Sequence, residues 1–186
     1  KTTYIEHIIE QNSDQSVTIG KDYTAFYIFY TPDSNQTWNT FHRNSDDHIV
    51  VINQTTRILG MYSNRNGGFF PINYRITLNQ WHCLIVTGEG NSEDSSVGQQ
   101  KFYLNNPLDF NRPNLVGTVN RVVSGTNIYR FGHHEGQAPG YIVEAGILNK
   151  KLTEEEVETM MFFLAEKMNN LVPPEPEPEM EPEPEP

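Results

Sequence analysis

Cysteine is almost absent: Cys83 stands alone among 186 residues, so no internal disulfide is available and the fold must be held by its core. Basic residues are also few, 13 Lys and Arg against 24 Asp and Glu. A chain this acidic lacks the basic stripe needed to displace counterions from phosphates, which argues against nucleic acid as a partner. No apolar run approaches the roughly 20 residues of a membrane-spanning helix, and no signal-peptide pattern opens the chain. Motifs of covalent catalysis are missing as well. There is no Gly-x-Ser-x-Gly elbow, and His82 beside Cys83 must face the opposite side of a strand, so the two cannot act as base and nucleophile. Within the apolar run 81–86, Cys83 reads as a small buried residue.

Aromatic residues, by contrast, are plentiful: 10 Phe, 9 Tyr and 2 Trp. The length suits one well-buried domain. Short stretches rich in β-formers recur at regular spacing. Residues 23–30 are apolar on both alternating faces, as in a strand covered on both sides. Further strands are expected at 49–52, 58–62, 74–78, 81–87, 101–104, 115–123, 128–132 and 141–148, with an opening strand and its neighbour within 4–20. Residues 38–47 read as a polar loop with isolated aromatics, and 88–98 as a Gly- and Ser-rich loop. About ten short strands separated by turns predict an all-β fold, a two-sheet antiparallel sandwich or jelly roll.

One helix is expected, starting after Leu152. Thr153 and Glu156 make a capping box, and three glutamates stand at the positive end of the helix dipole. Val157, Met160, Met161, Leu164 and Met168 share one stripe and read as core, with Phe162 off it. Residues 1–170 are expected to form the sandwich domain. Beyond it, 171–186 alternate Pro and Glu and should extend as a stiff, polyproline-like linker or tail. Six glutamates lie in 173–186, leaving 13 basic against 18 acidic side chains, or −5, on the body. Lys1 at the start and this tail at the end suggest a piece of a longer polypeptide or assembly.

Five motifs in order carry a family resemblance: Trp81-His82-Cys83-Leu84-Ile85-Val86-Thr87; Lys101-Phe102-Tyr103-Leu104-Asn105-Asn106; Tyr129-Arg130-Phe131-Gly132; the strand from Gly140 to Asn149; and Leu152-Thr153-Glu154-Glu155-Glu156. Together they resemble the concanavalin A-like lectin/glucanase superfamily, in particular its laminin G-like jelly-roll modules. The resemblance spans residues 23–169 and implies two antiparallel sheets and a C-terminal helix. Asn106 stands where the family has a hairpin glycine and is expected to take its positive φ. The family's glucanase pattern Glu-x-Asp-x-x-Glu is absent; Glu144 is a lone strand acid and Glu154–Glu156 are capping residues, so no enzyme activity is expected.

What remains is recognition. Sugar C–H faces stack on aromatic rings while hydroxyls bond planar polar side chains. Trp38 with His42 and Arg43 nearby, the loop and rings Asn64, Arg65, Phe69 and Phe70, and the pair His133 and His134 are the candidate ligand-binding residues. Asp46 and Asp47 are the candidate metal ligands, with calcium the cofactor their chemistry would suit. Asn35 and Asn53 head glycosylation sequons that matter if the chain is secreted. The expected role is a glycan- or protein-binding adhesion module on an extracellular or virion surface, with no membrane insertion. A structural domain of a coat, fibre or filament is the alternative.

Overall fold

The structure, a computed structural model, describes residues 22–32, 37–44, 47–64, 68–90, 98–106, 109–121, 128–131 and 140–173, with backbone alone at 43–44, 47–48, 110–111, 121 and 128–131. The elements are β1 Tyr23–Tyr30, β2 Trp38–Asn44, β3 Asp47–Asn53, β4 Ile58–Ser63, β5 Gly68–Arg75, β6 Trp81–Gly90, β7 Gly98–Asn106, β8 Asp109–Arg121, β9 Ile128–Phe131, β10 Tyr141–Leu148 and α1 Glu154–Met168. They form two five-stranded sheets, ordered β10-β1-β6-β7-β8 and β5-β4-β3-β2-β9. Every pairing is antiparallel. The expected two-sheet sandwich with one C-terminal helix is therefore the fold. The opening strand expected within 4–20 and nearly all of the Pro-Glu tail lie outside the described residues.

Strand alternation sorts side chains between two cores. Between the sheets lie Tyr23, Ala25, Tyr27 and Phe29 of β1, Leu84 and Val86 of β6, and Phe102 and Leu104 of β7. They meet Phe41, Val50, Ile52, Leu59, Met61 and Ile72 from the second sheet. Phe41 packs edge-on against Tyr27 at 5.1 Å and Phe29 at 4.7 Å. The opposite face of the first sheet presents Ile28, Cys83, Ile85 and Tyr103 to the helix residues Val157, Met161, Leu164 and Met168. This explains why β1 and β6 read as continuous apolar runs: each is covered on both faces.

The helix begins as its sequence dictates. Thr153 accepts from the Glu156 amide at 3.3 Å while Glu156 accepts from the Thr153 amide at 2.9 Å, a complete capping box. Glu156 also takes a hydrogen bond from Lys150, which with the cap holds its carboxyl below the usual carboxylate range. Met161 and Met168 are buried and Met160 packs at the edge of the same cluster, so the methionines fill core. Phe162 and Phe163 stand off the stripe, 40% and 62% exposed.

Three local expectations need correction. Residues 38–44 form strand β2 and not a loop. The register slips between Thr40 and His42, so Phe41 is an extra residue and both Phe41 and His42 turn inward, breaking the period-2 pattern. β5 starts at Gly68, six residues before the expected strand, and ends at Arg75; Pro71 masks it in sequence, and it is an edge strand, where proline is tolerated. Asn106 does not take positive φ; among the described residues the non-glycines that do are Arg57 and Asn79.

Candidate functional site

The two outer faces of the sandwich differ. α1 packs along the outside of the first sheet, against β8, β6 and β1. Among the described residues no helix lies on the outside of the second sheet. Pairing register shows which described residues that outer face carries. Trp38 is opposite Asn53, Asn53 opposite Ile58, and Ile58 opposite Arg75, one row across four strands. In a second row Phe69 is opposite Tyr62. Directly paired residues share a face.

Between the rows three rings meet. Trp38 lies 5.1 Å from Phe69 and 5.7 Å from Tyr62, centroid to centroid, both edge-to-face. Gly60 makes the approach possible. A Cβ there would collide with the Phe70 carbonyl and stand 2.9 Å from the Phe69 ring, so only glycine lets the ring lie over β4. Thr40 and Val51, opposite each other beside Gly60, are buried too. The three rings are each half-buried, which leaves part of every ring open to solvent. At the end of the first row Asn53 Oδ1 accepts from the Thr56 amide at 3.0 Å, shaping the β3–β4 turn.

The sequence-derived candidates divide three ways. Trp38 and Phe69 come together, and Asn64 is exposed at the end of β4. His42 and Phe70 leave the surface set, because the β2 bulge and the alternation of β5 turn both inward. His42 is 1% exposed and shares a hydrogen bond with Tyr27, and burial pushes its pKa down to about 3. Phe70 packs against the inter-sheet core. Arg43 and Asp47 have backbone positions in β2 and β3 but undescribed side chains, and Asn35, Asp46, Arg65, His133 and His134 lie outside the described residues. Sequence reasoning missed Tyr62, although the alternation of Leu59 and Met61 with Gly60 and Tyr62 marks it as facing away from the core.

Chemical reactivity finds little support elsewhere in the described chain. His82 and Cys83 do face opposite ways. His82 bonds the Thr77 carbonyl at 2.7 Å and is held neutral mainly by burial, while the Cys83 thiol sits 3.5 Å from Met168 Sδ under the helix and burial pushes it up to about 12. Glu144 pairs with Lys167, and Glu154–Glu156 open α1. Among the described residues no group of three or more His, Cys, Asp or Glu could hold a metal ion. No described helix is long and apolar enough to cross a membrane.

No family model and no curated protein matches this chain. Among solved structures, the native heptameric SAP-like pentraxin from Limulus polyphemus resembles it at a TM-score of 0.49 and 14% identity, over 80% of this chain and 73% of that one. The chain is a β-sandwich by its own two antiparallel sheets.

Proposed function

We propose that this domain is a non-catalytic recognition module that binds glycan on the outer face of its second sheet, as part of an extracellular or particle-surface protein. Within the lectin-like sandwiches, the order of its five motifs favours a laminin G-like member of the concanavalin A-like superfamily. The observation that carries the reading is the ring cluster of Trp38, Tyr62 and Phe69 on a sheet face that no described helix covers. Partly exposed rings held in strands make a stacking surface for sugar C–H faces. Asn53 and Asn64 supply amides at its borders.

A glycan array probed with and without calcium tests the proposal. Binding to at least one class of oligosaccharide, lost in Trp38→Ala while the thermal midpoint stays close to wild type, supports it. An array with no signal under either condition contradicts it. A second reading, assembly into a coat or fibre, is favoured by a different surface. Phe162 and Phe163 on α1, and Tyr141 and Val143 on the edge strand β10, are between 40% and 62% exposed. Light scattering across a concentration series distinguishes the two: growth in mass that Phe163→Asp abolishes would favour assembly.

A further inference from the structure

Beyond α1 the chain is held against the outer face of the first sheet. Leu171 packs on the cluster beneath the helix, and the Val172 carbonyl accepts the Trp81 indole N–H at 3.2 Å. Trp81 is one end of a row of rings. It pairs with Tyr30, and Tyr30 with Tyr141, across β6, β1 and β10; the ring centroids are 5.4 Å and 6.0 Å apart, both edge-to-face. Ile28 and Cys83, two residues away on β1 and β6, lie under α1, so alternation turns Tyr30 and Trp81 to the same outer face, and Tyr141 shares it as the direct partner of Tyr30. Tyr30 is nearly buried and Trp81 half-buried, whereas Tyr141 is 41% exposed. The row therefore opens from Trp81, where the chain crosses it, toward the edge strand β10.

The row is rigidly mounted. Gly140, at φ 94°, lies so close to the Tyr30 carbonyl that a Cβ would stand 2.5 Å from it, and the Thr31 carbonyl accepts the Asn79 amide at 2.9 Å. Rings fixed in advance lose little freedom on binding. An aromatic-lined surface of this kind suits a polyproline II segment, whose prolines pack on the rings while its backbone, poor in N–H groups, offers carbonyls to an indole donor. The Val172 carbonyl makes that contact, and Pro173 after it restricts Val172 to extended backbone. Residues 173–176 then read Pro-Pro-Glu-Pro. At three residues per turn and about 3.1 Å per residue, Pro173 and Pro176 lie on one edge of such a helix about 9 Å apart. Two strand spacings, about 10 Å, separate the β6 and β10 backbones, so the two prolines fit the length of the row.

We infer that the proline-rich tail of this chain docks on its own domain along Trp81, Tyr30 and Tyr141, with Pro173 near the Trp81 end of the row and Pro176 against Tyr141. Continuity selects this occupant: Pro173 leaves the domain at Trp81, so the next prolines are already within reach of the row. Charge does not drive the contact, because the six glutamates of 173–186 face a body that is itself −5 (13 basic against 18 acidic side chains). The contact is apolar, and salt should not weaken it. It lies on the first sheet and is independent of glycan binding on the second.

The test is paramagnetic broadening in the full chain, with a nitroxide label on Glu177→Cys. Cys83 is buried and its thiol is pushed up to about 12, so the new thiol reacts selectively. The amide signals of Gly140 and Val143, beside Tyr141, should lose far more intensity than those of Gly117 and Thr118 on β8, at the opposite edge of the sheet. Tyr141→Ala should abolish that contrast and Tyr141→Phe should keep it. The pair Pro174→Gly with Pro176→Gly, which lies outside the packed domain, should abolish it with the thermal midpoint unchanged. Equal broadening at both edges, or none, overturns the inference. So does a contrast that survives the proline pair, or one that disappears as salt rises from about 0.1 M to about 1 M, the mark of charge pairing. A mixture of ¹⁵N chain without the label and unenriched chain carrying it separates the copies: sharp signals support docking in one molecule, and equal broadening in the mixture assigns the tail to a second copy and overturns it.

Discussion

His42 offers a measurable handle on the sandwich core. Its imidazole lies between the sheets beside Tyr27, 1% exposed, and burial lowers its pKa to about 3. In the unfolded chain the same group takes a proton near pH 6.5. Between those values the unfolded state binds more protons than the folded state, so stability falls as pH falls. The contribution is fully present above pH 6.5 and declines by about 1.4 kcal/mol per pH unit below it. From pH 7 to pH 5 the loss from this residue is thus about 2 kcal/mol, a sizeable share of the 5–15 kcal/mol typical of a domain. His82, also lowered by burial, acts in the same direction. The assay is urea unfolding at pH 7, 6 and 5 for wild type and His42→Gln, which cannot titrate but can still bond the Tyr27 hydroxyl. The variant's stability difference between pH 7 and pH 5 should be smaller than wild type's by about 2 kcal/mol. An unchanged difference would refute the placement of a neutral His42 inside the core.

Other perturbations address the scaffold and the face separately. Gly60→Ala should cost about 1–3 kcal/mol in urea unfolding, because the new methyl collides with the Phe70 carbonyl, and should weaken glycan binding by displacing Phe69; wild-type stability would contradict the close approach. Met161→Ala, beneath α1, should cost about 2–5 kcal/mol, whereas Thr153→Ala should cost about 1 kcal/mol through its cap alone. Equal losses in chemical denaturation would speak against the helix as a packed lid. Asn53 sits opposite Trp38, so a glycan added there in a secretory host should cover the ring cluster. Thr55→Ala, at an exposed position, removes the sequon and should restore binding in glycosylated material. No gain after loss of the modification, followed by mass spectrometry, would mean that the sequon and the cluster do not overlap.

The regular parts of the fold were legible because burial enforces pattern. Residues 23–30 and 81–87 are apolar on both alternations since a second sheet covers one face and α1 the other, and Thr153 and Glu156 announce the helix start that is found. Legibility failed where one residue breaks the period. The extra Phe41 in β2 makes a strand resemble a loop and carries His42 from the surface into the core, and Pro71 conceals the first half of β5. The face itself was half visible. Trp38 and Phe69 are conspicuous by type, but their meeting depends on β2 and β5 lying on either side of β3 and β4 and on Gly60 leaving room, and neither follows from local sequence. Tyr62 was lost among the tyrosines for the same reason.

The chain has two indoles in very different places, and this gives the most direct test of the account. Trp38 belongs to the open ring cluster, whereas Trp81 lies against Tyr30 and donates its Nε1–H to the Val172 carbonyl at 3.2 Å, across the other sheet. In a ¹H–¹⁵N correlation spectrum followed while an oligosaccharide identified on the glycan array is added, the Trp38 indole signal should shift with increasing ligand while that of Trp81 stays in place. A shift confined to Trp81, or two stationary indoles in the presence of bound oligosaccharide, would contradict the claim that the second sheet is the recognition face.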